Sequence, residues 1–178
     1  GPVSTSVLAQ EILQEITDVP VFVAGGIGRG SMIASYLEMG AAGVQLGTKF
    51  VCTDECIAHP KFKEAFLRSN ARDAVASVQV DDRFPVIPVR AIENKGTKDF
   101  LAFQREVVNK FERGEHSLKD GQLQIEHYWA GALRRAVIDG DVENGSLMAG
   151  QSVGMVKEIK SVKAVIEELV SEAEVYLN

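Results

Sequence analysis

The chain has 178 residues, 46% of them hydrophobic and 25% charged, with a formal net charge of −6, values that fit one globular domain with a buried core. The acidic balance has no aromatic-interleaved basic patch to offset it, which argues against a nucleic-acid partner. No run approaches ~18 apolar residues and no signal peptide is visible, so no membrane span is expected and a cytoplasmic location is.

Val3 to Thr17 carries Val7, Leu8, Ile12, Leu13 and Ile16 at helical spacing, with Ser4 or Thr5 available as N-cap. Val19-Pro20 then opens a strand through Val23 that reads as apolar on both faces, because proline is tolerated at a first strand residue. Gly28-Arg29-Gly30 makes a turn, Ser31 is the expected N-cap of a helix through Met39, and Gly40 is its C′ residue. Val44-Gln45-Leu46 is the next strand, with Gly47-Thr48 at its carboxyl end. Beyond Thr53 the βα rhythm stops. Helices are expected over 59–70, 97–111, 125–138 and 161–176, an extended or irregular stretch over 75–94, and a polar loop over 112–122 with Gly114 and Gly121 as breakers.

The two apolar runs that end in glycine, Val21 to Ile27 and Gly43 to Phe50, are the most informative feature. Each is short and β-branched, and a helix separates them, as in a βαβ unit of a parallel sheet. Backbone N–H groups approach an anion closely only where no Cβ intervenes, and a following helix start adds partial positive charge. Gly25, Gly26, Gly47 and Thr48 are therefore the expected cradle of one phosphate group, in the manner of the loops after strands 7 and 8 of a (β/α)8 barrel. A complete barrel of that type takes about 250 residues. With 178 residues and Gly1-Pro2 in place of methionine, the expectation is a fragment that lacks the earlier strands, Gly1-Pro2 being a tag scar, a native pair after a cut or the first ordered residues.

Other chemistry-bearing residues have blander readings. Cys52 and Cys56 lack the second pair that a zinc or iron–sulfur site needs and are expected to be free thiols, a half-site completed by another chain being the alternative. Arg29 is expected to be an exposed turn residue more than a phosphate ligand, His59 a helix cap, His116 a solvated loop residue and His127 a packed helix residue. Asp139-Gly140-Asp141 reads as a helix end and loop, with too few ligands for a metal.

Taken with Asp139 to Gln151, whose end is Met148-Ala149-Gly150-Gln151, the two glycine segments occur in an order that resembles the nitronate monooxygenase family, also called 2-nitropropane dioxygenases, nearly end to end. Pro88 to Ile92 is similar to its flavin-dependent enoyl-acyl-carrier-protein reductase II branch. The resemblance implies an α/β fold, the C-terminal part of a TIM-type (β/α)8 barrel with an appended, mainly helical domain. Its divisions would be 1–52 for the last βα units, 53–150 for a helical and irregular lid-like region, and 151–178 for a C-terminal helix on the barrel. It implies FMN, held by Gly25, Gly26, Gly47 and Thr48 at its phosphate and faced by Met148, Ala149, Gly150 and Gln151, with Gln151 able to hydrogen-bond cofactor or substrate.

The implied reaction is oxidation of alkyl nitronates with dioxygen, or else reduction of an enoyl thioester with NAD(P)H. The catalytic histidine of the family would fall upstream of Gly1, so no catalytic residue is expected in this chain and the fragment alone is expected to be inactive. A small-molecule substrate and a homo-oligomer are the expected partners. A non-catalytic oligomerising fragment and a flavin-free sugar-phosphate enzyme are the rival readings.

Overall fold

The computed structural model describes residues 3–177, so Gly1-Pro2 and Asn178 lie outside the described residues. Helix α1 (Thr5–Glu15) leads into strand β1 (Phe22–Ala24), helix α2 (Gly30–Glu38), strand β2 (Gly43–Gln45) and the one-turn helix α3 (Thr48–Val51). Helix α4 (Pro60–Arg68), strands β3 (Ala74–Ala76) and β4 (Arg90–Ile92), and helices α5 (Lys95–Glu112), α6 (Leu118–Val137) and α7 (Val162–Leu177) follow. Strands β1 and β2 are parallel, with Phe22 beside Gly43 and Ala24 beside Gln45. Strands β3 and β4 are antiparallel and form a separate pair.

Three hydrophobic clusters hold these elements. Val23, Ile27, Tyr36 and Ala41 form the core of the β1–α2–β2 unit. Phe62, Phe66, Leu147 and Val153 join α4 to the 139–156 segment. Phe84, Phe100, Val107 and Ile125 fill the space between α5 and α6.

Several local expectations change on contact with the rest of the fold. Strand β1 buries one face only: Val23 is buried but Phe22 is 63% exposed. On α1 only Ala9 is buried, and Val7, Leu8, Ile12 and Ile16 of its apolar stripe remain exposed. Helix α7 likewise buries Val165, Leu169 and Ala173 while Ile166 and Val170 face outward. Periodicity identified these helices, but it overstated how much of each stripe the described residues cover. The stretch over 75–94, expected to be extended or irregular, is extended near its two ends, where most of the β3–β4 hairpin lies.

Helix α6 begins at Leu118, inside the segment read as a loop, because Ser117 caps it by accepting from the Asp120 amide at 3.2 Å. Gly121 does not break it. A Cβ there would lie 2.6 Å from the Phe84 ring and 2.7 Å from His116, so the glycine is what lets α6 close on that cluster. His116 is pinned and not solvated, with Nε2 3.1 Å from the Val107 carbonyl oxygen, whereas His127 is exposed on α6 and not packed.

Helix α2 starts at Gly30, one residue ahead of the expected cap Ser31, and the cap comes from far away in sequence. The Glu172 carboxylate on α7 accepts from the Gly30 amide at 2.7 Å and pairs with Arg29 at 3.0 Å. That amide hydrogen bond, joined by Arg29, holds the Glu172 carboxyl below the usual range. Gly40, with φ +100°, ends α2 as expected. A Cβ on Gly30 would reach within 2.5 Å of the Ala173 backbone nitrogen, and backbone cannot swing aside as a side chain can. Gly30→Ala is therefore expected to cost about 1–3 kcal/mol, read as a lower urea midpoint with an unchanged slope.

Both cysteines are free thiols, Cys52 buried and Cys56 partly so. Burial pushes the Cys52 thiol up to about 11 against a smaller opposing pull from the Lys63 ammonium. The thiolate is the reactive form. Iodoacetamide is therefore expected to alkylate Cys56 well before Cys52, and mass mapping of a time course checks the order.

Candidate phosphate and cofactor site

Parallel pairing brings the carboxyl ends of β1 and β2 side by side, so the turns that follow them share one edge of the sheet. Gly25 and Gly26 have φ of +106° and +76°, a left-handed region that side chains disfavour and that turns successive amides away from the strand. A Cβ on Gly26 or on Gly47 would meet nothing within 4 Å. Both glycines border open space.

The third segment reaches the same place. The Gly150 amide donates to Thr48 Oγ1 at 2.9 Å across 102 residues of sequence. A Cβ on Gly150 would lie 3.2 Å from Thr48 Oγ1, 3.7 Å from Ser152 Oγ and 4.0 Å from the Gly26 nitrogen. Gly26, Thr48 and Gly150 thus converge on one place, beside the open space that Gly26 and Gly47 border. Because Thr48 Oγ1 accepts from Gly150, the hydroxyl's own proton is left to donate elsewhere. Met148 is half-buried, Ala149 buried and Gln151 exposed.

Strand β4 holds the 148–151 loop in position. The Ala149 amide donates to the Arg90 carbonyl at 3.0 Å, the Ile92 amide donates to the Leu147 carbonyl at 2.9 Å, and Ala91 and Met148 form a bridge pair between them. Two residues near this place were not read from the sequence as site residues. Ser152, buried, sits beside Gly150, and Thr5 would touch a Cβ on Gly25 at 3.3 Å. Both are short hydroxyl residues, and the Ser152 position directly after Met148 to Gln151 was the available signal.

No side-chain cation is directed to this place from the adjoining positions. Arg29 points to Glu172 and is largely exposed, as expected of a turn arginine. Lys49, next to Thr48, is buried, donates to the Gly28 carbonyl at 3.3 Å and pairs with Glu168 at 2.7 Å. The α2 N-terminus is taken by Glu172, so the partial positive charge expected of that helix start is already neutralised. What remains for an anion is backbone amides and a hydroxyl.

Among the histidines, His59 caps α4 through Nδ1, which accepts from the Lys61 amide at 3.2 Å. Asp141 closes its own loop by accepting from the Asn144 amide at 3.0 Å, and this bond holds its carboxyl below the usual range. Among the described residues no group of three or more His, Cys, Asp or Glu side chains is placed to hold a metal, and no helix is long and apolar enough to cross a membrane.

Glycines at parallel strand ends, with a hydroxyl residue and a returning loop, define an α/β protein in which Gly26, Thr48 and Gly150 meet at the carboxyl edge of the β1–β2 sheet. The sequence profile described as nitronate monooxygenase matches residues 2–172, and the chain belongs to the nitronate monooxygenase family. It is 29% identical over 177 residues to a probable nitronate monooxygenase of Staphylococcus saprophyticus, covering 99% of this chain and 44% of the relative. It is also 29% identical over 202 residues to the (3aS,4S,5R,7aS)-5-hydroxy-7a-methyl-1-oxo-octahydro-1H-indene-4-carboxyl-CoA dehydrogenase of Mycobacterium tuberculosis, covering 99% of this chain and 56% of that protein.

Among solved structures, FabK from Thermotoga maritima superimposes with a TM-score of 0.80 at 33% identity, over 99% of this chain and 51% of FabK. The chain spans about half the length of the curated relatives it matches. Members of the family are enzymes, and membership implies a TIM-barrel fold.

Proposed function

We propose that the chain is the carboxyl-terminal part of an FMN-binding TIM-type barrel and that the place where Gly26, Thr48 and Gly150 meet holds the FMN phosphate. The convergence of Gly26, Thr48 and Gly150 supports the reading most directly, because a Cβ at Gly150 would crowd the space they share. Gly25, Gly26 and Gly47 would offer backbone amides, Thr48 its hydroxyl proton, and the Met148 to Gln151 loop would lie along the flavin ring, with exposed Gln151 free to hydrogen-bond cofactor or substrate. Bound there, FMN would supply the two-electron redox chemistry. This chain's residues would bind the phosphate, orient the ring and shape the space beside it, while the acid–base histidine would come from outside residues 1–178.

The family supports oxidation of an alkyl nitronate by dioxygen as the reaction. A second reading, reduction of an enoyl thioester by NAD(P)H, draws on the 33% identity to FabK and on a relative named for a CoA thioester. Assays on the purified full-length flavoprotein separate the two: oxygen uptake with propionate-3-nitronate against NAD(P)H oxidation with crotonyl thioester. Full-length protein isolated without flavin, and unable to take up added FMN, would overturn the cofactor assignment.

A further inference from the structure

Three polar atoms surround one point beside the glycine turns. A Cβ built on Gly150 would stand 3.2 Å from Thr48 Oγ1, 3.7 Å from Ser152 Oγ and 4.0 Å from the Gly26 nitrogen. Thr48 Oγ1 already accepts from the Gly150 amide at 2.9 Å, so its proton is what it has left to give. Ser152 is 3% exposed, and its hydroxyl has no hydrogen-bond partner among the described residues. The partnerless side-chain atoms that are fully enclosed are Trp129 Nε1 and Ser146 Oγ. Ser152 Oγ is not enclosed in that way, so a nearly buried side chain ends in a free hydroxyl at the edge of open space. Buried polar groups are as a rule hydrogen-bonded, and a hydroxyl left free at this point is placed to meet a ligand.

The backbone fixes that hydroxyl from both sides. Ser152 belongs to the 3-10 turn Gln151–Met155, which closes when the Val153 amide donates to the Gly150 carbonyl at 3.0 Å. Val153 is fully buried in the cluster with Phe62 and Phe66. Gly154 lies against backbone, since a Cβ there would be 2.7 Å from the Ala71 nitrogen. Ahead of the turn, the Ala149 amide is tied to Arg90 of β4. Neither end of the turn can swing Ser152 away. The neighbours also decide what kind of atom it meets: the Gly26 amide and the Thr48 hydroxyl both have a proton to donate, so an atom shared with them is an acceptor.

We propose that Ser152 is a further ligand of the FMN phosphate, its hydroxyl donating to a phosphate oxygen beside Thr48 and the Gly26 amide. The identity of the anion rests on the flavin reading. With Arg29 and Lys49 committed to Glu172 and Glu168, a second hydroxyl is a substantial share of what the site offers a doubly charged group. Because Ser152 Oγ has no partner within the chain, its removal breaks no internal hydrogen bond, which separates a ligand role from a packing role.

Equilibrium dialysis of the full-length protein against FMN and against riboflavin, which lacks the phosphate, tests the assignment. The parent is expected to hold FMN at least tenfold more tightly than riboflavin. Ser152→Ala is expected to weaken FMN binding about tenfold, with riboflavin binding and the melting temperature of the flavin-free protein unchanged. Ser146→Ala, which removes the enclosed partnerless hydroxyl, is the control and is expected to bind both flavins like the parent. If Ser152→Ala does not fold, Ser152→Cys, close in volume and only a weak donor, is expected to show the same selective loss. A folded variant at 152 that binds FMN like the parent, or that loses FMN and riboflavin equally, would overturn the role of Ser152 and leave the phosphate reading standing. A parent that holds FMN no more tightly than riboflavin would overturn the phosphate reading itself, and this assignment with it.

Discussion

Replacing Thr48 with valine is expected to weaken FMN retention by about ten- to a hundredfold while leaving the fold in place. Valine matches threonine in shape, so packing around α3 is preserved, but two interactions go. The Gly150 amide loses its acceptor at 2.9 Å, and the proposed phosphate loses a hydroxyl donor. A hydrogen bond to a charged group is worth about 1.5–3 kcal/mol, and each 1.4 kcal/mol is a factor of about ten. With no side-chain cation directed there from Arg29 or Lys49, only backbone amides and the Ser152 hydroxyl remain to compensate.

Thr48→Ser, which keeps the hydroxyl, is expected to hold FMN within a few fold of the parent. Equilibrium dialysis of the full-length protein against FMN measures both. A valine variant that binds FMN as tightly as the parent would remove Thr48 from the phosphate site.

Glu168→Gln is expected to destabilise the fold by about 3 kcal/mol, because it leaves Lys49 charged and buried without its partner. Glu168 joins the two halves of the βα unit's outer side: it accepts from Lys160 at 2.6 Å and from Lys49 at 2.7 Å, and so ties α3 to α7. These two bonds, that from Lys160 the stronger, pull its carboxyl down to about 2. In an unfolded chain the same group titrates near ~4.3. A carboxyl depressed in the folded state contributes fully above ~4.3, and the contribution is lost as pH falls through that value toward about 2.

The parent is thus expected to lose stability steeply across that acid window, and the glutamine variant to show a shallower slope there. For a domain of this length the loss near neutral pH corresponds to a melting shift of roughly 6–12 °C. Glu167→Gln is the control, since Glu167 is exposed and its pair with Lys163 spans 3.7 Å. That change is expected to stay within about 0.5 kcal/mol. Equal melting temperatures for the two variants would show that the Lys49 pair contributes nothing.

The glycine pattern was legible in advance because it answers to local rules. Gly25 and Gly26 at positive φ after a β-branched run, and Gly40 closing α2, are backbone requirements that a short window of sequence expresses. Boundaries failed where a distant residue intervened. Glu172 lies 142 residues from the amide of Gly30 that it caps, and Gly121 is helical because Phe84 and His116 crowd against it. His127 reads as packed from its aromatic neighbours, yet Tyr128 and Trp129 turn toward Phe100 while His127 faces outward.

Strand ends, caps and apolar stripes are written into neighbouring residues, since φ/ψ preference and helical or strand spacing act over a few positions. So strands β1 and β2, the longer helices, the three motif segments and the family they belong to could be read from the chain alone. The meeting of Gly26, Thr48 and Gly150 and the diversion of Arg29 and Lys49 to α7 could not. Each depends on contacts between residues tens to more than a hundred positions apart, and those distances are set by how whole elements pack, which no local preference encodes.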